Sequence, residues 1–351
     1  MKTAVIALTK RGVELAGKIG LDLGADIYAK NDYIDKVIIN GEFVRIHPFT
    51  SDFRGMIEKI FFAYDAVIFI MACGIAVRSI APHIEDKQSD PAVVVVDELG
   101  RFAISLLSGH IGGANRLAVR VTAVTGGIPV ITTATDINGV IAFDELATDN
   151  DCAVENIGDL KYISSELVNG GKVSFFSDCK IVGVLPQNIE TAAYGQLCKL
   201  AVVLTNSTKT AVNAERILYL RPRNLIIGIG CKKGKTKQEV DEAVMDFIEN
   251  NRISMLSIKC FASISIKAKE RGILDFCSER NIPFKTFSAE KIKTVEHQLS
   301  SSEFVRRITG VGCVAEACAI LAGNNPKLIC QKTVYNGITL ALAEEEKVFT
   351  L

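Results

Sequence analysis

DAVIFIMACGIAVRSI (residues 65–80) passes from an unbroken apolar run into a segment with helical spacing, with Cys73-Gly74 between them. A run of strand length that is apolar at every position, rather than at every second one, is what a strand covered on both faces requires, as in a parallel sheet. The same grammar recurs outward from it. TAVIALT (residues 3–9) is β-branched and apolar and is followed by a helix-like stretch over 10–21. PAVVVVDE (residues 91–98) is a buried strand ending in acids, and IPVITTATD (residues 128–136) reads as another. Between them SLLSGHIGGANRLAVRV (residues 105–121) leads into a helix expected to start near Gly112, with Ile111, Ala114, Leu117, Ala118 and Val121 forming its apolar stripe. Residues 1–137 are therefore expected to form an N-terminal α/β domain.

The pattern weakens over 138–221, where AVVLT (201–205) and RILYL (216–220) are the clearest strands, and this stretch is expected to be a small middle lobe. RPRN (221–224) reads as a linker. LIIGIGCKKG (225–234) restarts the strand-turn-helix pattern, and TKQEVDEAVMDFIEN is amphipathic. Residues 264–280 read as a helix, PFKTF as a short strand, SAEKIK as a helix capped by Ser288, and LICQKTVYNGITLALA as a hairpin turning at Asn336-Gly337. Residues 222–351 are expected to be a separate C-terminal α/β domain. The fold class that follows is α/β, with open, mostly parallel sheets and helices on both faces.

Of 351 residues, 48% are hydrophobic and 23% charged, ordinary values for a globular chain. Lys+Arg and Asp+Glu both number 40, so no net field draws the protein to nucleic acid or an anionic membrane, and neither is expected as a partner. The apolar run before Lys10 is too short for a signal or spanning segment, which points to a cytoplasmic protein. Ten cysteines are scattered without a C-x-x-C pair, so reduced thiols are expected and a structural zinc site is not.

Two turns carry chemistry. In SGHIGGAN the glycines can bring backbone amides close to an anion at a helix start; the plainer reading is a tight turn with a solvated histidine. His110 is the best acid-base candidate, because a neutral imidazole takes protons near pH 7. Asp97 and Glu98, at the carboxyl end of a strand, are placed either to orient His110 or to act on water, or serve only as turn acids. The run APHIEDKQSDP contributes His83 and Lys87, with Glu85 a weaker candidate, unless it is a solvated loop. In IGIGCKKGKTK, residues Gly230, Cys231, Lys232, Lys233 and Gly234 suit a polyanion better than a nucleotide, because neither G-x-G-x-x-G nor a P-loop is properly met. Glu316, a lone acid among apolar residues, reads as structural.

GIAVRSIAPHIEDKQSDPAVVVVDELGRFAISLLSGHIGGANRLA, PVITTATDINGVIAFDELA, IGIGCKKG, FKTFSAEKI and GVGCVAEACAIL together resemble the CbiG family of anaerobic cobalamin biosynthesis, the cobalt-precorrin-5A hydrolases. The likeness covers nearly the whole chain, and the last third resembles a domain that also occurs alone in the aerobic pathway. It implies a hydrolase that opens the δ-lactone of a cobalt corrinoid, followed by loss of the bridging carbon and its methyl as acetaldehyde, giving cobalt-precorrin-5B. His110 or Asp97 would activate water, with Glu98 nearby; amides of the turn from Gly112 to Ala114, or Arg116, would hold the oxyanion. Substrate carboxylates would meet Gly109, Gly112, Gly113, Asn115, Arg116, Arg78, His83 and Lys87 in the first half and the GCKKG turn in the last third. Cobalt would arrive with the substrate, and no protein-bound metal or other cofactor is expected. Neighbouring pathway methyltransferases are conceivable partners. The alternatives from other classes are a non-catalytic tetrapyrrole carrier and a nucleotide-binding regulator.

Overall fold

The computed structural model of the chain describes residues 1–33, 38–39, 42–43, 46–49, 52–86 and 89–351. It divides into two units, residues 1–145 and 146–351.

In the first unit the elements follow as β1 (Thr3–Ala7), α1 (Lys10–Leu23), β2 (Asp26–Lys30), the two-residue strands β3 (Ile38–Ile39) and β4 (Glu42–Phe43), β5 (Ile46–Phe49), α2 (Phe53–Ala63), β6 (Ala66–Ile70), α3 (Cys73–Ile80), β7 (Ala92–Val96), β8 (Phe102–Leu107), α4 (Ala114–Thr125), β9 (Ile128–Val130) and α5 (Ala134–Ile137), and α6 (Phe143–Asp149) begins in it and ends past residue 145. One seven-stranded sheet has the order β5-β2-β1-β6-β7-β8-β9. Its first five strands are parallel, and β1, β6 and β7 are buried at every position, as their unbroken apolar runs require. Side chains alternate between two cores: Val5, Ala7, Ile68 and Val94 pack under α1 and α4, whereas Ala4, Ile6, Phe69 and Val95 pack under α2 and α3. Each fully buried side chain of the size of Ile68 or Phe69 contributes on the order of 2 kcal/mol by leaving water. Thr9 caps α1 by accepting from the Gly12 amide, and Gly24, at φ 63°, ends it.

The decisive departure from a plain parallel sheet is β8. It runs antiparallel to β7, with Val96 opposite Ala103 and Val93 opposite Leu107, and β9 then runs parallel to β8. The carboxyl ends of β8 and β9 therefore lie at the edge where β6 and β7 begin. Residues 128–136 are not one strand. Ladder partners exist only for Ile128 to Val130, and the chain beyond turns into α5 at Thr133.

The second unit opens with β10 (Cys152–Glu155), α7 (Leu160–Val168), β11 (Val173–Ser177), β12 (Lys180–Val182), β13 (Ile189–Thr191), β14 (Leu197–Leu204) and β15 (Asn213–Pro222), which give a sheet of order β10-β15-β14-β11-β13. It continues with β16 (Leu225–Cys231), α8 (Lys237–Asn251), β17 (Ile258–Ile264), α9 (Arg271–Glu279), β18 (Phe284–Phe287), α10 (Ala289–Lys293), α11 (Glu303–Thr309), α12 (Ala315–Leu321), β19 (Lys327–Tyr335), β20 (Ile338–Glu344) and β21 (Val348–Thr350). These build a second sheet, β18-β17-β16-β20-β19, with α8 and α9 over Ile227 and Ile229 and with α12 over Ile226 and Ala262. β21 returns to pair with β12. The hairpin turn at Asn336-Gly337 has φ 43° and 81°, the left-handed pair that an Asn-Gly turn supplies.

Two expectations fail here. RPRN is no linker: Arg221 is 2% exposed in β15 and donates to Glu155 Oε2 (2.5 Å), Thr205 O (3.1 Å) and Ser207 O (2.6 Å), while Asn224 is 2% exposed and donates to Glu345 O (2.8 Å). Residues 264–280 are not one helix either. Ile264 ends β17, paired with Phe287, and the helix begins only at Arg271, after a short turn in which Lys267 pairs with Glu270.

Candidate active site

Strand β8 ends at Leu107, and the glycine turn that follows closes on itself. Ser108 takes φ 56°, its hydroxyl donates to Asp90 O (3.1 Å), and a Cβ on Gly112 would collide with the Ser108 side chain and stand 2.8 Å from its carbonyl oxygen. Gly113 sits at φ 85°, a region that a side chain strains. The amides of Gly113, Ala114 and Asn115 donate to the carbonyls of His110 (2.9 Å), Ser108 (3.1 Å) and Gly109 (3.0 Å). The turn is thus not the open amide cradle expected of it, because three of its donors are spent on its own backbone.

What the turn does is aim His110. Its Nε2 lies 2.9 Å from Asp136 Oδ2 and 3.0 Å from Thr135 Oγ1, and its Nδ1 lies 3.5 Å from Asp144 Oδ2. Asn115, 3% exposed at the start of α4, accepts from Ser105 (2.7 Å) and donates to Thr133 (3.1 Å) and to Asp136 (3.1 Å), so β8, α4 and α5 hold one network. Thr133 also donates to Asp136. His110 remains 17% exposed along its side chain.

The charges follow from this geometry. Asp144, then Asp136, favour the protonated ring against the opposing effect of burial, and His110 is raised to about 9. Burial acts to raise Asp136, but the Thr133 hydroxyl and the imidazolium hold it below the ordinary carboxylate range. Burial raises Glu145, with His110 and Arg116 pulling the other way, and its Oε1 is buried without a hydrogen-bond partner. One ligand atom each from His110, Asp136 and Glu145 lie within 4.8 Å of one another, so these three residues can hold a metal ion.

Asp97 and Glu98 are not brought to His110. They follow Val96 at the far end of β7, about four residues or ~13 Å of strand from the Val93-Leu107 pair. Asp97 accepts from the amides of Leu99 (2.9 Å) and Phe102 (2.6 Å) as the acid of the β7-β8 turn, and Glu98 accepts from the Thr9 hydroxyl (2.5 Å). Arg78 also lies toward that edge, its guanidinium over Gly74 at the start of α3. Gly109 packs on the Asn115 amide, and Arg116 is exposed beside Gly113. His83 lies tilted against Phe61 and edge-on to Phe62, with both centroids 6.0 Å away, on a segment whose Glu85 amide donates to Asp90. Lys87 lies outside the described residues.

In the second unit the GCKKG turn is similarly self-satisfied. Lys232 N donates to Gly337 O (3.0 Å) and Gly234 N to Glu270 Oε1 (2.7 Å), so a carboxylate of the chain already takes the place expected for an anion. Lys235 pairs with Glu239 and Lys237 with Glu279, while Lys232 and Lys233 are exposed; Gly230 lies near Val314, and burial raises the Cys231 thiol. Glu316 is 1% exposed and accepts from Lys332 N (3.0 Å), Ser300 (3.0 Å) and Cys313 (3.1 Å), the structural role expected of it.

The chain is 32% identical to the cobalt-precorrin-5A hydrolase of Salmonella typhimurium, an alignment covering 97% of this chain and 96% of that one. Family models match in register along it: cobalamin synthesis G N-terminal at residues 55–136, the cobalamin biosynthesis central region at 141–222 and the cobalamin synthesis G C-terminus at 225–343. The chain belongs to the CbiG family. Another CbiG relative, the cobalt-precorrin-5A hydrolase of Priestia megaterium, is 31% identical over 97% of this chain and 94% of its own. Among solved structures, a cobalamin biosynthesis protein G homolog from Sulfolobus solfataricus aligns over 98% of this chain and 97% of its own, at 22% identity and a TM-score of 0.42. The N-terminal CbiG match ends at Asp136, and the acids that complete the His110 cluster, Asp144 and Glu145, lie at the start of the central-region match.

Proposed function

We propose that this chain hydrolyses the δ-lactone of cobalt-precorrin-5A and that the His110 cluster is where it does so. The observation that carries the reading is the similarity to two cobalt-precorrin-5A hydrolases across 97% of the chain. The cluster is suited to the chemistry: a partly exposed imidazole with a carboxylate at each ring nitrogen beside the exposed Arg116, a set that can exchange protons and stabilise an oxyanion.

Water oxygen adds to the lactone carbonyl carbon, the ring C–O bond breaks, and the freed oxygen takes a proton. The hydroxyl then gives up its proton to a base as its C=O forms and the C–C bond to the macrocycle breaks, so that this carbon leaves with its methyl as acetaldehyde; the electron pair of the broken bond stays on the macrocycle, which takes up a proton in turn. Cobalt enters as part of the substrate. Turnover in oxygen-18 water tests the first step: one labelled oxygen in the corrinoid carboxylate is expected, and a product without label overturns hydrolysis at the acyl carbon.

A further inference from the structure

We propose that His110, Asp136 and Glu145 form a binding site for a divalent transition-metal ion, with Asp144 orienting the imidazole. The inference rests on the hydrolase reading only for what the ion would do, and departs from the sequence expectation of no protein-bound metal.

Four observations converge. First, one ligand atom from each of the three residues lies within 4.8 Å of the other two. Second, His110 Nε2 and Asp136 Oδ2 stand 2.9 Å apart. Two ligands at ~2.1 Å from one ion and at right angles stand about 3.0 Å apart, so this pair is already at ligand spacing. Third, Glu145 Oε1 is buried and lacks a hydrogen-bond partner, a costly state for a carboxylate oxygen that a bound cation would relieve. Fourth, Asp144 Oδ2 lies 3.5 Å from His110 Nδ1, the nitrogen left over when Nε2 is a ligand. A carboxylate on the far nitrogen of a metal-bound histidine fixes its tautomer and orientation.

One nitrogen and two carboxylate oxygens suit a borderline ion such as zinc, cobalt(II) or manganese(II). Three protein ligands would leave positions for a water, which a metal ion makes acidic enough to attack a carbonyl near neutral pH.

The test is cobalt(II) added to the chelator-stripped full chain under anaerobic conditions, read by visible absorption and by calorimetry. One equivalent with a ligand-field spectrum lacking a sulfur-to-metal charge-transfer band is expected. Glu145→Gln and His110→Ala should each weaken binding at least tenfold, with unchanged circular dichroism confirming that they fold, and Asp144→Asn should weaken it by about 10- to 100-fold. No binding, a thiolate band showing capture by cysteines, or affinity unchanged in Glu145→Gln and His110→Ala would overturn the site. Wild-type protein that binds the ion at these residues yet leaves the lactone intact would support the site and sink the hydrolase reading. Stripped protein that cannot bind cobalt(II) but opens the lactone would do the reverse.

Discussion

His110 Nε2 lies 2.9 Å from Asp136 Oδ2, across a turn whose amides are directed inward and beside a strand that runs against its neighbour. The contact joins residues 26 positions apart through the β8-α4-β9 crossover, and it accounts for the glycines of SGHIGGAN. They let the chain fold tightly enough to turn the imidazole toward α5.

In metal-free protein, His110 should titrate near 9 by nitrogen-15 NMR, and Asp144→Asn should bring it down toward the unperturbed value of about 6.5. The folded-state value is the raised one, so this ion pairing contributes stability in full below pH ~6.5 and loses it as pH rises through about 9. A midpoint below 7 in the wild type would contradict the two-carboxylate geometry.

Gly112→Ala should cost about 1–3 kcal/mol in urea denaturation, because its Cβ meets the Ser108 side chain and carbonyl with no room to move aside. The raised His110 titration should fall with it. Wild-type stability in this variant would mean that the turn is looser than its hydrogen bonds indicate.

Asp97→Ala separates the two ends of β7. It should lower stability by about 1 kcal/mol by freeing the Leu99 and Phe102 amides, yet leave both kcat and the His110 titration within twofold of wild type. A hundredfold loss of kcat with substrate binding retained would return Asp97 to the mechanism.

Arg221→Met should destabilise the second unit by about 3 kcal/mol, since it strands the Thr205 and Ser207 carbonyls and the Glu155 carboxylate. The partial exposure of Glu155, 39% along its side chain, keeps the cost from rising further. A change under 0.5 kcal/mol in thermal or urea unfolding would restore the linker reading of RPRN.

The strands that fill a two-sided core are legible because burial on both faces leaves an uninterrupted apolar run, as at residues 3–7, 66–70, 92–96 and 225–229. IKCFASI was missed. Lys259 and Ser263 interrupt its apolar pattern, although the Ser263 hydroxyl is buried and donates to Ile229 O (2.5 Å). The orientation of β8 was also hidden, since FAISLL carries no mark of direction, and that one reversal moved Asp97 and Glu98 away from His110.

His110 itself stood out in the sequence, whereas its partners did not. In the sequence Asp136 looks like the acid at the end of a strand, and Asp144 and Glu145 belong to FDELATD, which has the look of an ordinary helix start. The available signal was local: ATD and FDE each place acids in the first turn of a helix shortly after the glycine turn. The short pairing of β9 with β8, ending at Val130, and the Asn115 contacts to Thr133 and Asp136 bring them back to His110.

The decisive experiment is anaerobic incubation of the full chain with cobalt-precorrin-5A, with trapped acetaldehyde and corrinoid mass followed together in wild type and His110→Ala. Wild type should release stoichiometric acetaldehyde with a matching loss of the two-carbon unit from the corrinoid, and His110→Ala should release it at least a hundredfold more slowly with binding retained. Binding without acetaldehyde in the wild type, or release undiminished in His110→Ala, would contradict it.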